Sequence, residues 1–233
     1  STFLQRAYDQ IINDLCINNS NALILVYRAS IYGNKDMTHL GFNDITMLSN
    51  MPNLMYLAPT TVEELESSIR YGVEHHNHPI AIRIPVGSPI YETSQSNTTG
   101  CPITSCNITQ SGNTIAIIGV GNFYHKAVEL SHAIHDAIHI SPTLVKPLCI
   151  SSLDTDTLNE LTKNHNIVIT LEDGELEGGY GQKIASYYGK TSMNVLNYGI
   201  SKQFYDRYNP EDVLQQNHLD FEHILDDIRN VQH

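Results

Sequence analysis

The sequence predicts an α/β fold built on parallel sheet, and two observations carry the prediction. Short, continuous apolar runs alternate with longer stretches of helical period. Strands covered by helices on both faces read as such runs rather than as alternating patterns. Hydrophobic residues make up 41% of the 233 and charged residues only 16%, and this length buries a real core as one large domain or two ordinary ones. Polarity is carried by Asn, Ser, Thr and His. The net charge is −12 and no basic run occurs, so nucleic acid and anionic membrane are excluded as partners. No apolar stretch approaches the ~20 residues that span a bilayer.

Residues 2–17, TFLQRAYDQIINDLCI, predict an amphipathic helix, with Phe3, Leu4, Ala7, Ile11, Ile12 and Leu15 at helical spacing. Residues 22–27 are a buried strand. Leu54–Ala58 is a second, stopped by Pro59 and followed by a helix that opens on threonines and early glutamates. Residues 79–85, PIAIRIP, make a third. The Ser/Thr/Asn-rich stretch 88–112 lacks long periodicity and reads as a linker with room for a short strand or two. Alternation then resumes. Strands are expected at Ile115–Val120, Thr143–Val145, Ile167–Leu171 and Asn194–Asn197. Helices are expected near 124–138, 154–163, 179–188, 210–216 and 220–231.

Chemistry-bearing residues concentrate after the first strand. Arg28 ends it, and His39 stands in the polar loop NKDMTHLGFND. In open parallel sheets that place is the ligand crevice. Arg28 offers a planar cation for phosphate or carboxylate, and His39 offers acid–base chemistry near neutral pH. The plainer alternative is a sheet-end cap and a loop-bracing histidine. IGVGNFYHKA (118–127) lacks the third glycine of a dinucleotide fingerprint and reads as an ordinary strand-to-helix turn. His132, His135 and His139 have zinc-compatible spacing but lie away from the apolar side of their helix, so a solvated face is expected. LEDGELEGGYG (171–181) reads as a strand–turn–helix joint whose acidic residues repel an anion. The four cysteines, Cys16, Cys101, Cys106 and Cys149, form no CxxC pair and read as free thiols of a reducing cytoplasm.

The motifs STFLQRAYDQ, YRASIYGNKDMTHLGFNDITML, NLMYLAPTTVEELE, AIRIPVG, LVKPL and LEDGELEGGYG follow one another in an order that resembles the 1-deoxy-D-xylulose-5-phosphate synthases of the transketolase superfamily. The resemblance implies the later part of a pyrimidine-binding domain over 1–90, a linker over 91–112 and a transketolase C-terminal domain over 113–233. It implies thiamine diphosphate and Mg²⁺ as cofactors, and pyruvate and an aldehyde, glyceraldehyde 3-phosphate, as substrates. Phe3 matches the aromatic that stacks on the cofactor's pyrimidine, and Arg6 the arginine beside it. His39 matches the loop histidine near the reacting carbon, and Arg28 an arginine that grips the aldehyde's phosphate. A homodimer is also implied.

Departures from the family pattern redirect part of this. The family loop G-A-D-G-x-T-H is G-N-K-D-M-T-H here, so Lys35 takes the aspartate position and Asp36 follows it. Val86 stands where a phosphate-binding arginine is usual, and Arg83 matches a different arginine. These changes set two further expectations: a degenerate paralogue acting as a dimeric binding module, or a related enzyme with another acceptor. The diphosphate and Mg²⁺ motif and a glutamate expected just upstream are not among these residues. The chain is therefore expected to be the C-terminal part of a longer protein, inactive without the N-terminal domain.

Overall fold

The computed structural model describes residues 1–31, 36–74, 77–87 and 103–232. Its first sheet is parallel and three-stranded, in the order β1 (Leu23–Val26), β3 (Ile80–Arg83), β2 (Met55–Leu57). β3 is central and buried at every position, as its unbroken apolar run requires. α2 (Asp44–Leu48) follows the histidine loop, and α3 (Val62–Glu74) returns the chain from β2 to β3.

The second sheet runs in the order β4 (Cys106–Gln110), β6 (Thr143–Pro147), β5 (Thr114–Gly119), β7 (His165–Glu175), β8 (Asn194–Ile200). Only β4 is antiparallel to its neighbour. α4 (Phe123–Ile138), α5 (Thr155–Leu161) and α6 (Tyr180–Tyr188) connect its strands. α7 (Pro210–Gln216) and α8 (Phe221–Gln232) finish it. The turn Gly119-Val120-Gly121 lets α4 pack hard on β5: a Cβ at Gly119 would lie 2.6 Å from the Tyr124 backbone.

Two expectations change, and a third gains its detail. The opening helix is a composite: a 3-10 segment at Thr2–Ala7, one α turn, α1 (Tyr8–Gln10), and a π segment at Ile11–Cys16. Ile11 and Cys16 are both buried. They stand five residues apart, and i→i+5 winding brings such a pair to one side where an α-helix would not. Next, the stretch read as a linker with room for a short strand supplies β4, a polar CNITQ edge strand with no buried residue; residues 88–102 lie outside the described residues. Finally, β7 runs on to Glu175, well past Leu171.

The two sheets meet through backbone as well as side chains. Ala58 N–H donates to Leu148 O and Ile150 N–H to Tyr56 O, both at 2.8 Å, so a segment of the second unit pairs with the outer edge of β2. One core cluster runs through the seam, from Ile45, Leu48 and Tyr56 to Ile118, Ile150 and Tyr180.

Candidate functional site

The histidine loop is held from several sides. Its base is pinched where Ser30 N–H donates to Gly41 O at 2.9 Å. A Cβ at Gly41 would lie 2.3 Å from Arg28 O, so only glycine fits there. Arg28 and Ser30 take positive φ values, 57° and 86°, to make the turn, a conformation non-glycine residues seldom adopt. Thr2 Oγ1 donates to Leu40 O at 2.5 Å and ties the N-terminal segment to the loop.

Within the loop, His39 Nδ1 lies 3.0 Å from Asp36 Oδ1 and 2.8 Å from Thr38 Oγ1. Hydrogen bonds from Thr38 and then His39 hold the Asp36 carboxyl down at about 2. Among the described residues these contacts all fall on Nδ1, which leaves Nε2 to serve a ligand. Phe3 stands edge-on to the His39 ring, centroids 5.3 Å apart, and is 61% exposed. The Arg6 guanidinium carbon sits 5.7 Å from the Phe3 centroid.

Two cavities meet at Phe3 and His39. The narrower, about 420 Å³, is lined by Leu25, Tyr27 and Arg28 as well. The wider, about 860 Å³, opens between the two units. Arg6, Met37 and Asn43 line one side, and Glu175, Lys202 and Phe204 the other. The structure therefore brings Phe3, Arg6 and His39 to one crevice and sets Arg28 in its side arm. Lys202 and Phe204 are not picked out from the sequence, and Glu175 reads there only as one of the acidic residues of the glycine-rich joint, because they reach the crevice from the end of β7 and the loop after β8, more than a hundred residues away. Phe204, 82% exposed in a polar loop, is the one that sequence could have flagged. Burial, opposed in part by Lys202, raises the Glu175 pKa.

Below the crevice lies a buried ionic string. Arg83 Nε donates to Asp44 Oδ2 at 2.7 Å, and Arg83 Nη1 pairs with Asp173. Tyr56 hydroxyl donates to Asp44 Oδ2, and Asn122 Nδ2 to Asp173 Oδ2 at 3.0 Å. Asn122 Oδ1 accepts from Val86 N–H at 3.0 Å. Burial works against charge on Arg83, but Asp173 and Asp44 outweigh it, and its pKa lies above the ordinary value. Both carboxylates and the guanidinium are fully buried, so Arg83 is spoken for.

The glycine-rich joint has a definite purpose. Glu172 Oε2 accepts from Tyr180 N–H at 2.9 Å and Oε1 from Gly181 N–H at 2.8 Å, filling the N-terminus of α6 with an internal carboxylate. Burial raises its pKa to about 7. So the acidic residues here do more than repel an anion: the Glu172 carboxyl occupies the place an anion would take at the helix N-terminus, and Asp173 is half of an ion pair. His132 and His135 are exposed on α4, as the sequence predicts, and His139, also exposed, caps the end of the helix in a left-handed conformation. Cys101 and Lys35 lie outside the described residues.

Comparison with known proteins gives a consistent picture. Residues 1–88 match the transketolase pyrimidine binding domain, and residues 105–224 match the transketolase C-terminal domain. Curated relatives bear the name 1-deoxy-D-xylulose-5-phosphate synthase. The one from Clostridium tetani is 32% identical over 99% of this chain, and the one from Gloeothece citriformis 34% identical over 98%. The chain spans only 37% and 36% of their respective lengths. A solved structure titled "Split gene transketolase, inactive beta4 tetramer" superposes with a TM-score of 0.83 at 20% identity, over 99% of this chain and 73% of that one. At that identity the likeness speaks for the fold.

Proposed function

The chain belongs to the transketolase family, and on that premise we propose that it forms part of a thiamine-diphosphate-dependent 1-deoxy-D-xylulose-5-phosphate synthase. The observation that carries the reading is the meeting of Phe3, Arg6 and His39 at one crevice. Residues 1–90 then act as the pyrimidine-binding part and the segment from β4 onward as the C-terminal domain. The partners are a diphosphate-binding domain outside these residues and a second copy in a homodimer. Light scattering tests the dimer; a monomer at micromolar concentration counts against it. Among the described residues no helix is long and apolar enough to cross a membrane, and we place the protein in the cytoplasm.

The residues present fit the pyrimidine end of the cofactor. Phe3 offers an exposed ring face for stacking, with Arg6 beside it as a cation. Among the described residues no three His, Cys, Asp or Glu side chains stand together to hold a metal ion, so we assign the Mg²⁺ and diphosphate contacts to the diphosphate-binding domain. Bound thiamine diphosphate would supply the carbanion chemistry by which pyruvate loses CO2 and joins an aldehyde. His39, oriented through Nδ1, moves a proton between Nε2 and the substrate oxygen where charge develops. Arg28, in the side arm, grips the phosphate of glyceraldehyde 3-phosphate.

A second reading has an observation of its own. Val86 puts an apolar side chain where the family pattern has a cation, its backbone N–H is taken by Asn122, and Arg83 is sealed in the ionic string. That favours a related enzyme with an unphosphorylated acceptor. The deciding assay uses the full-length protein with thiamine diphosphate, Mg²⁺, pyruvate and either glyceraldehyde 3-phosphate or an unphosphorylated aldehyde. The five-carbon phosphate product, lost in His39→Ala, is the expected outcome. Preference for the unphosphorylated aldehyde selects the second reading. Absence of cofactor binding leaves a non-catalytic dimeric binding module.

A further inference from the structure

We propose that the buried string Asp173–Arg83–Asp44 is a positioning device for His39, through which the second α/β unit takes part in catalysis without touching substrate. The proposal rests on the role assigned to His39 above.

The string has an unusual place. Asp44 is the first residue of α2 and closes the loop that carries His39, five residues before it. Its carboxylate is bonded by Arg83 and Tyr56, and Ser1 Oγ adds a contact at 3.3 Å. Arg83 ends β3 and reaches across the seam to Asp173 on β7. Asn122, at the N-cap position of α4 of the second unit, spends its side chain on Asp173 and Val86 rather than on the helix. A backbone bond runs alongside: Glu175 N–H donates to Phe42 O at 3.0 Å, three residues after His39. The far end of the histidine loop is thus tied to β7 at two points, while its base is closed by the Ser30 N–H bond to Gly41 O.

Chemistry gives this arrangement a reason. Three buried charges are a poor way merely to hold two domains together, since apolar residues of similar volume often do it as well or better. What ions and bidentate donors add is direction: they fix α2 in one orientation, and with it the loop that precedes it. Proton transfer depends steeply on geometry, and a misplacement of about 1 Å can cost on the order of 100-fold in rate.

Arg83→Met would leave two carboxylates buried without a cation and is a poor probe if it fails to fold. Asp173→Asn keeps the shape and one acceptor oxygen for Arg83, removes the acceptor that Asn122 Nδ2 uses, and leaves Arg83 paired with Asp44, so it is the variant of choice. It is made in the full-length holoprotein, with Asp173→Glu as the conservative rescue. Expected for Asp173→Asn is a fall in kcat of about 10- to 100-fold, with KM for both substrates and cofactor affinity within about twofold, and partial recovery in Asp173→Glu. Amide hydrogen exchange, read by mass spectrometry, should speed up over residues 36–48 and stay unchanged over α4. An unchanged kcat with only a lowered melting temperature overturns the proposal, as does faster exchange throughout the chain. If the wild-type protein turns over no substrate, the functional reading fails separately. The exchange comparison then decides alone: local loosening at 36–48 supports the positioning device, and its absence refutes it.

Discussion

His39 takes its orientation from Asp36, three residues earlier, and the loop sequence only half announces this. The family pattern places a carboxylate one position sooner, where Lys35 stands, and a register argument alone makes Asp36 an awkward substitute. The structure supplies what register cannot: Thr38 donates to Asp36 from both backbone and side chain and turns the carboxylate back onto the ring. These bonds lower the Asp36 pKa from its ordinary 3.8 to about 2. A depressed carboxyl pKa contributes above the unfolded value and loses its contribution as pH falls from near 4 toward 2, so the pair is intact throughout the neutral range. Asp36→Asn should therefore lower kcat about tenfold, short of the roughly 100-fold or more that removing a general acid costs. Steady-state kinetics beside His39→Ala measures it; equal losses in the two variants would mean that Asp36 does more than orient.

At the scale of elements, the strands announced themselves because buried parallel strands are continuous apolar runs, as in Ile115–Gly119 and Ile80–Ile82. What escaped has physical reasons. α2 has five residues, too few for a helical period to show. β4 is polar because it is an edge strand paired on one side. The glycine-rich joint was visible as a turn, but not its content, since a helix N-terminus filled by a carboxyl group eight and nine positions away leaves no local pattern. That content makes a prediction. A Cβ at Gly179 would lie 2.5 Å from both Glu172 Oε2 and Glu175 O. Gly179→Ala must push the carboxylate off α6 or shift the turn, and should destabilise by about 1–3 kcal/mol. Urea denaturation reads this directly; a loss within about 0.5 kcal/mol would show that the turn relaxes freely.

For the whole molecule, the charges buried along the seam tie stability to pH. Glu172 has a folded pKa of about 7 against an ordinary 4.5, so folding favours its protonated form. The stability it contributes is complete below about 4.5 and is lost as pH rises through 7, by up to about 3 kcal/mol. Glu172→Gln should flatten the decline in melting temperature between pH 5 and 8. A decline that persists in the variant would assign it to other groups. The seam also bears on motion. With a strand edge of one unit zipped by backbone to a segment of the other, from Tyr56 to Ala58 against Leu148 to Ile150, and with core and ions continuous across the join, the described residues show no hinge between them. The crevice walls, Phe3 and Arg6 on one side and Glu175 and Lys202 on the other, are then carried by one continuous frame, and a ligand meets them at a spacing set by that frame rather than by the opening of two domains.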